Sequence, residues 1–293
     1  MFNGSAVAII TPFLEDGVNF ELFDELIERQ IEARTQAIIV CGSTGEAALM
    51  SLEEKQALIK RAVDTSKKRI LIIANTGTNN TAESIEFSRF AQEVGVDGLL
   101  IVAPYYVKPT QVGIVEHVKA IANAVPLPII LYNVPSRTGV NIVANTYHEL
   151  VKISNVVGVK EASSDLAQIK AIIEIVPKSF KVYSGNDDQA VDVIEMGGHG
   201  VISVSANLIP ETIVRLNDLA LAGNIEEARL LESSLAKLHE VLFIESNPVP
   251  VKVALHARGF ACSLVRLPLV PLSVESHVTL METLKTYGLG AKV

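Results

Sequence analysis

Along most of the chain, short apolar runs alternate with longer stretches in which apolar residues recur every three or four positions. Residues 5–10 (SAVAII) form the first run, which Pro12 closes. Residues 19–33 follow, with Leu22, Phe23, Leu26, Ile27 and Ile31 on one face of a predicted helix. The same unit then recurs. Residues 37–41, 69–75, 98–104, 127–133, 156–160, 181–185 and 200–204 read as further strands. They are largely apolar and rich in β-branched residues, as strands buried on both faces are.

Between these strands the spacing predicts helices. Ser51 and Glu54 form a capping box for one, whose face carries Leu58, Ile59, Ala62 and Val63. Thr81 is expected to cap the next, which ends at Gly95. Others are predicted near residues 112–124, 144–153, 165–175, 187–196 and 211–222. Eight strand-then-helix units predict a (β/α)8 TIM barrel, a fold of about 250 residues. A doubly wound open sheet is the structural alternative. After Gly223 the alternation stops, and helical patterns at 224–241, 249–257 and 273–287 flank a proline-bearing link at 267–271. The expected division is a catalytic barrel over residues 1–223 and a small all-helical C-terminal domain over 224–293.

Composition narrows the function classes. The 293 residues include no Trp, and aromatics make up only 5%, so the core must be aliphatic. A net charge of −8 argues against a nucleic-acid partner, whose backbone calls for clustered Lys and Arg. No run approaches the roughly 18–20 apolar residues of a membrane helix, and the first residues lack the basic start of a secretory signal. Cys41 and Cys262, far apart in the sequence, suggest reduced thiols and a cytoplasmic location. The six histidines show no HxH or HExxH spacing, so no metal is expected, and His199 in the GGHG turn reads as structural.

Barrel active sites lie at the C-terminal ends of the strands, and the polar residues there form a specific set. The second strand ends in Gly42-Ser43-Thr44-Gly45-Glu46, the fourth in Tyr105 and Tyr106, and the fifth in Tyr132 with Arg137 just beyond. The sixth ends in Lys160, the seventh in Ser184 and Gly185, and the eighth passes through Ile202. An amine at the end of a buried strand is poorly solvated. Desolvation disfavours its charged form, which is the condition an imine-forming lysine needs. Singly, each of these residues has an ordinary alternative: a snorkelling lysine, a tight turn, a core aromatic, a surface charge. On one rim they combine a carboxylate cradle, a proton shuttle, a cationic anchor and a desolvated amine, a constellation for enamine chemistry on a keto acid.

GSTGE, APYY, LYNVPSRTG, VKEAS, SGND, GGHGVISV, NPVPVK and RLPLVPL occur in this order along nearly the whole chain. In this series the sequence resembles the dihydrodipicolinate synthase family of the pyruvate-dependent class I aldolase superfamily. The arginine in YNVPSRTG carries the assignment within the superfamily, because the related sialic-acid lyases lack it. The resemblance implies that Lys160 forms an imine with pyruvate and that Thr44, with the GSTG amides, holds the pyruvate carboxylate. Tyr132 would move protons, linked through Ser43 to Tyr106 of a neighbouring subunit, and Arg137 would anchor the carboxylate of L-aspartate 4-semialdehyde. Backbone carbonyls at Gly185 and Ile202 would shape the pocket.

No cofactor is implied beyond the covalent imine at Lys160. The resemblance further implies a homotetramer built as a dimer of dimers, and a place in lysine and diaminopimelate biosynthesis. Ser43 stands where the family usually has threonine. Leu52 and Lys55 stand where enterobacterial members carry histidines of the lysine-feedback site, although Asn79, Glu83 and Tyr105 remain. Weak or absent inhibition by lysine is therefore expected. Two other functions fit the residues: a sister aldolase acting on N-acetylneuraminate or a 2-keto-3-deoxy sugar acid, and a catalytically silent keto-acid-binding barrel.

Overall fold

The computed structural model describes residues 1–290. Eight parallel strands close into a barrel: Gly4–Ala8, Ala37–Val40, Leu71–Asn75, Gly98–Val102, Ile129–Asn133, Val156–Glu161, Lys181–Ser184 and Gly200–Ser203, the last pairing back with the first. The open sheet is thereby excluded. A two-stranded hairpin, Phe13–Leu14 with Gly17–Val18, sits after the first strand, where the sequence pattern indicates only a loop.

Two apolar layers follow from the strand period of two. Ala6, Ala8, Ala37, Ile39, Ile73, Leu100, Ile130, Tyr183 and Ile202 point into the barrel, with Phe2 plugging its base. The alternate residues, among them Val7, Ile38, Ile72, Leu99, Leu131 and Val159, meet the surrounding helices. Phe2 stacks on Tyr183 with ring centroids 4.4 Å apart, and the Tyr183 hydroxyl donates to the Phe2 carbonyl at 2.7 Å. The tyrosine is thus committed to the base of the barrel.

Helix starts follow local side-chain chemistry. Asn19 caps Phe20–Glu32 by accepting from the Leu22 N–H at 3.0 Å. The Ser51–Glu54 box is formed in both directions, at 3.2 and 2.9 Å. The cap of Thr81–Val94 is Asn80 rather than Thr81, because the Asn80 Oδ1 accepts from the Ala82 and Glu83 amides. Thr81 instead bonds His117 Nδ1 at 2.9 Å. After the fifth strand the expected helix over 144–153 shrinks to a 3-10 turn, Ala144–Thr146, and one turn of α-helix, Tyr147–Leu150.

Beyond residue 223, helices Ile225–Val241, Val249–Ala257 and Val274–Thr286 pack on the barrel helices. Leu235, Leu238, Val251, Leu280 and Leu284 join the same outer core as the barrel strands. Among the described residues, no helix is long and apolar enough to cross a membrane.

Candidate active site

A bulge decides which way Lys160 faces. The fifth and sixth strands pair Ile129 with Val156 but Ile130 with Gly158, so Val157 is an extra residue. A one-residue slip exchanges the inner and outer faces of a strand. Val156 therefore belongs to the outer layer, whereas Gly158 and Lys160 share the phase of Ile130 and Tyr132. Gly158 has no room for a side chain, since a Cβ there would lie 2.6 Å from the Lys181 carbonyl.

Lys160 and Tyr132 are direct register partners, and the amine sits 4.5 Å from the centre of the tyrosine ring. Lys160 is 5% exposed and Tyr132 6%. They face a cavity of about 190 Å3 at the C-terminal ends of the strands, also lined by Ser43, Thr44, Arg137, Gly185 and Asn247. This is the volume of a small molecule of a few heavy atoms, in contact with a desolvated amine. The Gly185 backbone lies tight against the sixth strand: a Cβ there would stand 2.5 Å from that of Ala162.

A larger groove of about 490 Å3 adjoins the cavity and shares Gly42, Ser43, Tyr132, Val134 and Arg137 with it. Ser43 and Tyr132 therefore line both spaces. Tyr105, Lys55 and Glu83 line the far side of this groove, with Lys55 Nζ 5.6 Å from the Phe87 ring centre.

Ile202 and Tyr106 are not among the residues that line the cavity of this chain. Val204 forms the cavity wall at the eighth strand, while Ile202 packs fully buried in the inner layer beneath it. Tyr106 is 87% exposed and does not reach the cavity of its own chain. Its backbone is left-handed, with φ +69°, and its amide donates to the Thr138 carbonyl at 3.2 Å.

Several residues at the site escape a reading of strand ends. Asn247 precedes the second C-terminal helix, and its Nδ2 donates to Thr44 Oγ1 at 2.9 Å. Its own carbonyl accepts from Arg137 Nη2 at 3.5 Å, so one residue joins the hydroxyl and the guanidinium. Glu161 and Asn133, the outward neighbours of Lys160 and Tyr132, are wholly buried and bonded through Asn133 Nδ2 at 3.0 Å. Burial raises the Glu161 carboxyl above its usual range, against bonds from Asn133, Ser163 and Gln168. The network clamps the two strand ends that carry the inward pair.

Glu46 and Lys252 form an ion pair at 2.6 Å with both side chains at 0% exposure. Burial pulls the Lys252 ammonium below the usual lysine value, and Glu46 opposes this. The motifs GSTGE and NPVPVK contain both residues, but nothing local pairs positions 206 apart. Burial pushes the Cys41 and Cys262 thiols up to about 12, which leaves them protonated and inert. His199 is structural as expected, its Nδ1 accepting from the Val182 amide at 3.2 Å.

A closed parallel barrel with a small cavity at its C-terminal rim, lined by a buried lysine, has the architecture of a barrel enzyme. The model of the dihydrodipicolinate synthetase family matches residues 1–287, and the chain belongs to this family. It is 51% identical over 290 residues to the 4-hydroxy-tetrahydrodipicolinate synthase of Thermoanaerobacter sp. (strain X514), covering 99% of this chain and 98% of that one. The dihydrodipicolinate synthase structure from Aquifex aeolicus superposes with a TM-score of 0.96 at 42% identity, each chain covered completely (100%). The chloride-inhibited enzyme from Acinetobacter baumannii, solved in complex with pyruvate, gives 0.96 at 44% identity over 99% of this chain and 100% of that one.

Proposed function

We propose that the chain condenses pyruvate with L-aspartate 4-semialdehyde to 4-hydroxy-tetrahydrodipicolinate through an imine on Lys160, in the cytoplasm. The observation that carries this reading is the inward register pair, Lys160 beside Tyr132, on a cavity that Thr44 also lines. Family membership and the pyruvate complex of the Acinetobacter baumannii relative support it.

The neutral Lys160 amine attacks the pyruvate carbonyl carbon, and loss of water leaves an imine. Thr44 and the amides of its loop hold the carboxylate. Tyr132 takes part in removing a methyl proton, and the imine nitrogen receives the electron pair to give an enamine. The enamine carbon then attacks the aldehyde carbon of the semialdehyde, whose oxygen takes a proton to become the hydroxyl. The substrate's own amine displaces Lys160 by transimination and closes the ring. The imine splits one hard deprotonation into easier steps.

Arg137 is exposed at the cavity mouth and tethered to the Asn247 carbonyl, a placement that suits the carboxylate of the second substrate. Arg137→Ala should raise the KM for aspartate semialdehyde by on the order of 10-fold or more while pyruvate saturation changes little, since the lost contact is charge-assisted. Steady-state kinetics with each substrate varied in turn checks this. Equal effects on both substrates would remove Arg137 from the assigned role. A polyol sugar acid would instead call for neutral partners there, so cleavage of N-acetylneuraminate by the wild type, tested in parallel, distinguishes the sister aldolases.

The proposal includes a homotetramer in which Tyr106 of one subunit completes the proton path of its neighbour. The outward, solvent-facing ring fits a partner rather than its own cavity. Tyr106→Phe should lower kcat by about 10-fold or more, in the range of lost proton-transfer groups, with the circular dichroism spectrum and unfolding midpoint unchanged. A fully active Tyr106→Phe enzyme would exclude that path.

A further inference from the structure

Glu46 closes the GSTGE loop in a left-handed conformation, φ +54° and ψ +33°. Non-glycine residues seldom adopt it and need surroundings that over-determine it. The surroundings here are specific. Lys252 Nζ donates to Glu46 Oε1 at 2.6 Å and to the Thr11 carbonyl at 2.9 Å, and it lies 4.5 Å from the centre of the Phe13 ring. The Arg266 amide donates to Glu46 Oε2 at 3.3 Å. Thr11 Oγ1 donates to the Gly45 carbonyl at 2.7 Å, and the Glu46 amide donates to the Ser43 carbonyl at 3.1 Å. One ammonium thus ties the segment after the first strand to the far end of the loop that carries Ser43 and Thr44.

A buried ion pair is a poor device for stability alone, because apolar side chains of similar volume often serve as well or better. What it adds is direction. Both charges are fully buried, and the pair spans the loop and the second C-terminal helix at fixed length. We propose that the Glu46–Lys252 pair is a positioning device for the carboxylate cradle, with Lys252 setting the geometry of the loop at Thr44 through Glu46. Neither residue lines the cavity, so both act at one remove. The proposal deepens the reading above and rests on Thr44 receiving the pyruvate carboxylate.

The variants are Glu46→Asp, which keeps the charge and shortens the reach by one methylene, and the double variant Glu46→Gln/Lys252→Met, which leaves neither charge stranded. Each is assayed with pyruvate and with aspartate semialdehyde varied separately, and by borohydride trapping of the pyruvate adduct across pyruvate concentrations. The expected result is a rise of about 10-fold or more in half-saturating pyruvate for both variants, the scale of a misplaced charge-assisted contact. The KM for aspartate semialdehyde should stay within about twofold. Thermal unfolding of the double variant near the wild-type midpoint, with pyruvate saturation still impaired, separates positioning from support of the fold. Wild-type pyruvate saturation in either folded variant, or equal losses for both substrates, overturns the proposal alone. Absence of any adduct in the wild type overturns the imine reading and the proposal with it.

Discussion

Lys160→Ala should abolish the borohydride-trapped pyruvate adduct and lower the condensation rate by on the order of 10³-fold or more, because the covalent intermediate has no other nucleophile to form on. The fold should survive the change. The Lys160 amine rests over the Tyr132 ring, and among the described residues it belongs to no ion pair, so its removal strands no opposite charge. The small cavity already borders the side chain, and truncation enlarges it. Mass spectrometry of wild type and variant after reduction with pyruvate is the measurement, with the modified peptide mapped. Lys252 is the internal control, a second buried lysine whose amine is already held by Glu46 and the Thr11 carbonyl. An adduct of undiminished yield in Lys160→Ala, or one mapping to Lys252, would sink the mechanism.

The strands were legible because a strand buried on both faces has to be apolar throughout, and all eight such runs appear in order. The inward direction of Lys160 was not. It depends on the extra residue at Val157, and nothing in VVGVKE says which of its residues will be left unpaired. Residues at strand ends could be named as a set because barrel sites gather there, which captured Ser43, Thr44, Tyr132, Arg137, Lys160 and Gly185. Asn247 was invisible to that rule, since it arrives from the segment after the barrel. The Ile202 side chain packs in the inner layer, whereas the role expected of this residue belongs to its backbone carbonyl. The Glu46–Lys252 pair left one signal: a lysine amid the apolar residues of Val249–Ala257, a helix with little polar surface to offer it. Such a lysine needs a buried partner, but only the fold says which carboxylate supplies it.

The two buried lysines should therefore respond in opposite ways to removal. Lys252→Met leaves the Glu46 carboxylate at 0% exposure without its counter-charge and takes the donor from the Thr11 carbonyl. Breaking one side of a buried pair typically costs about 3–5 kcal/mol, most of it from the charge left behind. Glu46→Gln in the same chain neutralises that charge and keeps an oxygen that accepts from the Arg266 amide. The double variant should regain most of the lost stability. Guanidinium unfolding at one fixed protein concentration, because any subunit association would shift the midpoint, gives the comparison among wild type, Lys252→Met and Glu46→Gln/Lys252→Met. A loss below about 1 kcal/mol in Lys252→Met, the scale of an exposed pair, would show that the pair is solvated in solution. A double variant no more stable than Lys252→Met would show that the ammonium's lost contacts with the Phe13 ring and the Thr11 carbonyl, and not the stranded carboxylate, set the cost.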